Sequence, residues 1–201
     1  MFKPLSVGFG GLLSLFLVAC FTSTTIEQSW RAPDVKLEAL RNVVTVYIAP
    51  DGSIRRTIED EMASKLARKG IRATPMYTVM SEDDMLDRDR AKARLIAAGF
   101  DGVVAIRLVS KESFASSFDD YWGSAWPSMY DPNYAFTEVV VRVETNVYSL
   151  ASDELLWSAL SRTIDPASSR TVVDEVTTLV AGELSTHGVV VGSRLEAKRA
   201  R

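Results

Sequence analysis

The chain of 201 residues carries one thiol, Cys20, and one imidazole, His187. That supply is too sparse for a disulfide framework or for a metal site built from several cysteines or histidines. No calcium-loop spacing appears either, so no metal is expected. The nearest thing to an acid–base pair is Asp119 with Asp120, but adjacent carboxylates in a loop establish no spacing across a scissile bond. No nucleophile elbow, phosphate loop or zinc motif occurs. The expectation is therefore a protein without a cofactor that is not an enzyme, with a hydrolase as the remotest alternative. His187 stands just before Gly188, where a helix end needs a cap.

The densest chemistry is aromatic. Phe114, Phe118, Tyr121, Trp122, Trp126, Tyr130, Tyr134 and Phe136 are eight of the 15 aromatic residues from position 20 onward, interleaved with Gly123, Pro127, Pro132 and several serines. A connection of more than about 15 residues is uncommon unless it has a function or lacks order, and disordered segments are poor in aromatics. Rigid amphipathic Tyr and Trp suit protein interfaces, the lipid headgroup zone and the faces of sugars. Glu112, Asp119, Asp120 and Asp131 offer acceptors to a sugar and would be repelled by anionic headgroups. Tyr121, Trp122, Trp126, Tyr130 and Tyr134 are the expected partner- or ligand-binding residues. The competing expectation is an aromatic lid that completes the core.

Cys20 acquires a role from what precedes it. Lys3 is the only charged side chain in the first 19 residues, and the stretch from Pro4 to Ala19 is apolar, the pattern of a secretory signal. As a helix that stretch would reach ~24 Å, short of the ~30 Å hydrocarbon core of a bilayer. It closes on Leu17-Val18-Ala19-Cys20, which resembles the bacterial lipobox, in which the cysteine thiol takes a diacylglycerol and the freed amine a further acyl chain. At about 0.8 kcal/mol per buried methylene, two or three acyl chains hold a protein on a bilayer. Phe21 after the cysteine, rather than Asp, points to delivery to the outer membrane.

Over the whole chain 23 basic against 26 acidic residues give a formal charge of -3 with no basic stripe, so nucleic acid is not an expected partner. Basic spots remain at Arg55 and Arg56 and in the tail from Arg194 to Arg201. They are expected as solvated faces, the tail with a second option of touching anionic lipid. A length of 201 residues is enough for one domain with a sizeable core.

The elements follow from periodicity. Residues 20–42 are Thr/Ser-rich and read as a tether, with one short strand around Ile26 to Arg31. Val43 to Ala49 is a β-branched run closed by Pro50-Asp51-Gly52, hence a buried strand and turn. Ile54, Ile58, Met62 and Leu66 recur every fourth residue, predicting a helix with Arg55, Arg56 and Glu59 on its wet side and Gly70 as its stop. Ile71 to Val79 is a strand whose Pro75 belongs at an edge or bulge. Ser81 caps a second helix that buries Leu95, Ile96 and Ala98 and stops at Gly99. Gly102 to Val109 is an apolar, central strand. Val139, Val141, Val143, Thr145 and Val147 alternate with polar residues as a strand, and Leu155 to Ile164 returns as its hairpin partner. A last helix starts at Asp165-Pro166 and buries Val172, Val173, Val176, Leu179, Val180 and Leu184. The expected fold is α/β (α+β), a mixed sheet in the order βαβαβ, loop, ββ, α with helices packed on it.

Ser29-Trp30-Arg-Ala-Pro33, Arg55-Arg56-Thr-Ile-Glu-Asp-Glu61 and above all Glu144-Thr-Asn-Val-Tyr-Ser-Leu-Ala-Ser-Asp-Glu-Leu-Leu-Trp157-Ser158 resemble a widespread family of uncharacterised bacterial envelope lipoproteins, over nearly all of the chain after Cys20. Their fold is similar to that of TolB amino-terminal and curli-secretion lipoprotein domains. The resemblance implies an envelope role but transfers no catalytic residue. It marks Trp157 as a packing residue, and Ser152-Asp153 stands where a Gly is common in the turn.

The resulting expectation is a signal peptide at 1–19, lipidated Cys20 with a tether at 20–42, one domain at 43–188 with an aromatic loop at 112–136, and a tail at 189–201. The expected function is a lipid-anchored binding or scaffolding module on the periplasmic face of the outer membrane, contacting an envelope protein through the aromatic loop. A glycan-binding lipoprotein is the alternative.

Overall fold

The computed structural model describes residues 23–33, 40–48, 52–116 and 136–190. Six strands form one mixed sheet. They are β1 (Ser23–Arg31), β2 (Asn42–Tyr47), β3 (Arg72–Pro75), β4 (Gly102–Ser116), β5 (Phe136–Ser149) and β6 (Leu155–Ile164), and they lie in the order β1-β6-β5-β4-β2-β3. The helices are α1 (Gly52–Arg68), α2 (Glu82–Met85), α3 (Arg88–Ala97) and α4 (Ser169–Thr186), with a 3-10 turn at Met76–Thr78. The mixed α+β sheet expected from periodicity is present. β2 pairs in parallel with both β3 and β4, while β4, β5, β6 and β1 run antiparallel in turn. Helical crossovers link the parallel strands, and the β5–β6 hairpin needs only the turn at Ser149–Glu154.

One face of the sheet holds the main core. Val43 and Tyr47 of β2, Val104 and Ile106 of β4, Val141, Val143 and Val147 of β5 and Trp157 of β6 pack against Ile58, Met62 and Leu66 of α1 and Val176, Val180 and Leu184 of α4. Each fully buried side chain of this size contributes roughly 1.5–3 kcal/mol. Trp157 is buried, as its marker segment implied. On the other face α3 covers only the β2 side, where Val44, Met76, Met80, Leu95 and Leu150 form a smaller cluster. The wider part of that face, over β4, β5, β6 and β1, carries ion pairs across strands instead. Arg142 reaches Glu27 and Glu112, each at 3.2 Å, Arg162 reaches Glu138 at 3.5 Å, and Arg107 pairs with Glu144.

Several boundaries differ from the expected ones. The short strand expected around Ile26 to Arg31 is present and longer, a nine-residue strand from Ser23 to Arg31 paired with β6 along its length except at a bulge between Ile26 and Gln28. The strand was legible only in part because its outer edge and one face meet water and the bulge breaks its alternation. Val189 and Val190, given to the tail, are buried, and Val190 bridges to Leu40. On α1 Ile58, Met62 and Leu66 are buried as their spacing predicts, but the buried face is wider than that row. Arg55 and Glu59 are inside while Ile54 is exposed. The second helix is two short ones, because Ser81 caps α2 with a full capping box and Asp87 then caps α3 through Arg90 N. Leu95 is buried there, but Ile96 and Ala98 are exposed. β3 is shorter than expected and gives way to the 3-10 turn, and Pro75 does stand on the edge strand. The last helix starts at its cap Ser168 rather than at Asp165-Pro166, because Asp165 takes a φ of 46° that no helix permits.

Candidate functional site

The sequence placed its binding residues at Tyr121, Trp122, Trp126, Tyr130 and Tyr134 and its lipidation at Cys20. All six lie outside the described residues, as do Asp119, Asp120 and Asp131 and the basic tail from Arg194. The structure does fix where the chain leaves and re-enters. Ser116 and Phe136 are Cα partners at the end of the β4–β5 pair, so residues 117–135 join two strands in register. The expected loop boundary at 112 moves to 117, because Glu112 to Ser116 continue β4. Glu112 pairs with Val140, Val140 with Ile164, and Ile164 with Ser23. The start of β1 and the β4–β5 hairpin therefore occupy the same end of the sheet.

A second arrangement, which the sequence reading treated as solvated surface, sits at the carboxyl ends of β2 and β3. In open sheets with parallel strands this end, outside the carboxyl termini, is where crevices form. Glu59 is completely buried and Arg55 is 5 % exposed. Arg55 Nε donates to Glu59 Oε1 at 2.9 Å, and the same oxygen accepts from Tyr47 N at 3.1 Å. Oε2 accepts from Tyr77 N at 3.0 Å, and the Glu59 main-chain carbonyl accepts from Thr45 Oγ1 at 2.9 Å. Arg55 Nη1 donates outward to Glu82 Oε1 at 2.5 Å. One carboxylate thus ties α1 to the end of β2 and to the turn after β3, which offsets the desolvation of both charges. Glu at i+4 from Arg was the available signal, hidden because the neighbouring Ile54, Ile58, Met62 row offered an equally regular face.

Beside this clamp is a cleft of about 250 Å³ lined by Arg55, Arg56, Tyr77, Met80, Ser81 and Glu82. The Arg56 guanidinium lies 5.6 Å from the centre of the Tyr77 ring, a cation–π distance. Tyr77 Oη donates to Asp60 Oδ1 at 2.8 Å, and that bond, chiefly, raises the phenol above its usual pKa and keeps it protonated. Ser81, through side chain and backbone, lowers the Asp84 carboxyl, with Arg94 contributing. The cations here already have anionic or aromatic partners, and the Tyr77 hydroxyl and ring face are engaged by Asp60 and Arg56.

His187 is the C-cap residue of α4, its Nε2 3.0 Å from Glu183 Oε2, in the place expected of it. Among the described residues no group of three or more His, Cys, Asp or Glu is placed to hold a metal ion. Also among them, no helix is long and apolar enough to cross a membrane.

No family model matches the chain, and no curated protein does. Solved structures similar to it include the PelC dodecamer from Paraburkholderia phytofirmans, at 13% identity and a TM-score of 0.49 over 81% of this chain and 97% of that one. The lipoprotein GNA1162 from Neisseria meningitidis is similar at 16% identity and a TM-score of 0.42 over 72% and 97%. A minor lipoprotein from Acinetobacter baumannii follows at 9% identity and 0.36 over 73% and 94%.

Proposed function

We propose that the chain is a lipid-anchored binding or scaffolding module of the bacterial cell envelope, held on the periplasmic face of the outer membrane through acylated Cys20 and meeting its partner through the aromatic segment at 117–135 that joins β4 to β5. The observation that carries this reading is the agreement of four features before the domain: Lys3, the uncharged apolar run, Leu17-Val18-Ala19, and the only cysteine of the chain directly after them. The strand β1 begins three residues beyond that cysteine, which supports attachment of a folded domain directly to the anchor. Catalysis has no part in the reading. The rigid sheet supplies a platform, and the anchor confines it to two dimensions.

Metabolic labelling with an alkyne-bearing fatty acid tests the anchor. The wild-type chain should take the label and fractionate with outer membranes, and Cys20→Ala should take none and leave the membrane fraction. Equal labelling of both would end the lipoprotein reading. For the contact, a photoreactive residue at Tyr121, Trp122 or Tyr130 should capture one envelope component that the same residue at Lys65 does not.

A further inference from the structure

We infer that the sheet face turned away from α1 and α4 binds a neutral glycan chain, laid across the strands from Trp30 on β1 to Tyr148 on β5. The site involves neither Cys20 nor the segment between β4 and β5, and it goes beyond the module proposed above.

The register puts both rings on that face. Trp30 pairs with Ser158, Ser158 with Asn146 and Asn146 with Ala105, and directly opposed residues project to the same side of a sheet. Trp157 and Val147, next in sequence to this row, belong to the core under α1 and α4, so the row itself projects to the other side. Tyr148 stands two residues beyond Asn146 on β5 only through Val147, and its pairing with Val103 follows that of Val147 with Val104 and Asn146 with Ala105 without a break, which returns it to the face of Asn146. Trp30 is 48 % exposed and Tyr148 37 %. Two strand spacings, about 10 Å, and two residues of rise, about 7 Å, separate their backbones, so one extended chain can lie on both rings.

The groups between the rings choose the ligand. Among the described residues the side chains of Gln28, Ser158 and Asn146 make no hydrogen bond, and Asn146 Oδ1 is shielded from water without a partner. A shielded acceptor left unpaired is costly, and a hydroxyl reaching this row relieves it. The charges on the same face are already matched, Arg107 with Glu144, Arg142 with Glu27 and Glu112, and Arg162 with Glu138. They leave no free cation there, among the described residues, to hold an anionic polymer. A protein interface is apolar at its centre, whereas the centre here is a hydroxyl and amides, with half-buried Leu160 in the next row. Two exposed aromatic faces with neutral polar groups between them match a sugar chain, whose C–H faces stack on rings while its hydroxyls donate and accept.

The test titrates the full chain, in a zwitterionic detergent that carries no sugar, with chitohexaose and cellohexaose as neutral probes and hexagalacturonate as an anionic one. Calorimetry should show binding of a neutral hexasaccharide and weaker binding of the galacturonate. Trp30→Ala and Tyr148→Ala should each weaken the neutral sugar about tenfold, the loss expected of an aromatic anchor. Trp30→Phe and Tyr148→Phe, which keep a ring, should retain most of the affinity, and Leu86→Ala, exposed at the end of α2, should leave it unaltered. Urea midpoints read alongside identify any Ala variant that has lost its fold, and Gln at the same position then takes its place with the same expected loss. Full affinity in both ring-deleted variants puts the sugar elsewhere and overturns the site. No binding of either neutral probe overturns it as well, and so does hexagalacturonate bound as tightly. None of these outcomes bears on the anchor, which the labelling of Cys20 tests separately.

Discussion

The carboxylate of Glu59, closed to water, sits 2.9 Å from Arg55 Nε, and it holds Tyr47 N and Tyr77 N as well. The pair joins a helix to the ends of two strands, so its loss is felt in three elements. Removing one member strands a buried charge, which costs about 3–5 kcal/mol, whereas replacing both by apolar groups of similar volume is often close to neutral. Glu59→Ala should therefore lower stability in urea unfolding toward the lower end of that range, since Arg55 keeps Glu82 as a partner at 2.5 Å. The Arg55→Met, Glu59→Met double variant should recover most of the loss while leaving Tyr47 N and Tyr77 N without their acceptor. A double variant as unstable as the single one would mean that the main-chain hydrogen bonds, not the buried charge, dominate.

Asp153 gives the fold a pH dependence. It occupies the turn between β5 and β6 with a φ of 63°, and its Oδ2 accepts from Arg88 Nη2 at 2.6 Å. That hydrogen bond, followed by the charges of Arg88 and Lys92, lowers the carboxyl below its usual range. A carboxyl lowered in the folded state adds stability above its unfolded pKa of about 3.9, and the gain fades as pH falls through the folded value. Asp153→Asn tolerates the left-handed conformation but cannot titrate. Unfolding midpoints followed from pH 6 to 2 should fall less steeply in this variant than in the wild type. Asp84, also lowered, retains part of the slope.

What could be read from residues alone was what local chemistry dictates. Ser81 needed only a free helix start, Pro75 only an unpaired N–H side, and Val139 to Val147 only the period of a strand, and each stands where its chemistry puts it. What escaped depends on neighbours distant in sequence. The strand at Ile26 to Arg31 was legible, but its extension back to Ser23 follows from β6 lying beside it. Arg55 is inside because a partner on its own helix and Glu82, 27 residues on, neutralise it. A charge is assigned to the surface by default, and only the tertiary pairing reverses that. The same limit applies to the start of β1 and the β4–β5 pair, whose shared end of the sheet follows from a register that no periodicity encodes.

Gly102 tests how closely that register is enforced. It begins β4 opposite Ser149, and a Cβ built there would meet Leu40 Cδ1 at 2.3 Å and the Tyr148 carbonyl oxygen at 3.0 Å. Leu40 has little room to yield, being 4 % exposed and tied through its N–H to the Val189 carbonyl at 3.0 Å. The carbonyl belongs to the neighbouring strand and cannot move without opening the ladder. Gly102→Ala should cost about 1–3 kcal/mol, the usual range for overpacking. Gly182→Ala is the matched control, since nothing lies within 4 Å of its added Cβ and an alanine in a helix interior gains up to about 1 kcal/mol over glycine. If Leu40 is the main obstruction, Leu40→Ala combined with Gly102→Ala should destabilise by less than the sum of the two single changes in chemical unfolding. Strict additivity would shift the obstruction to the Tyr148 carbonyl, and with it to the register of β4 against β5.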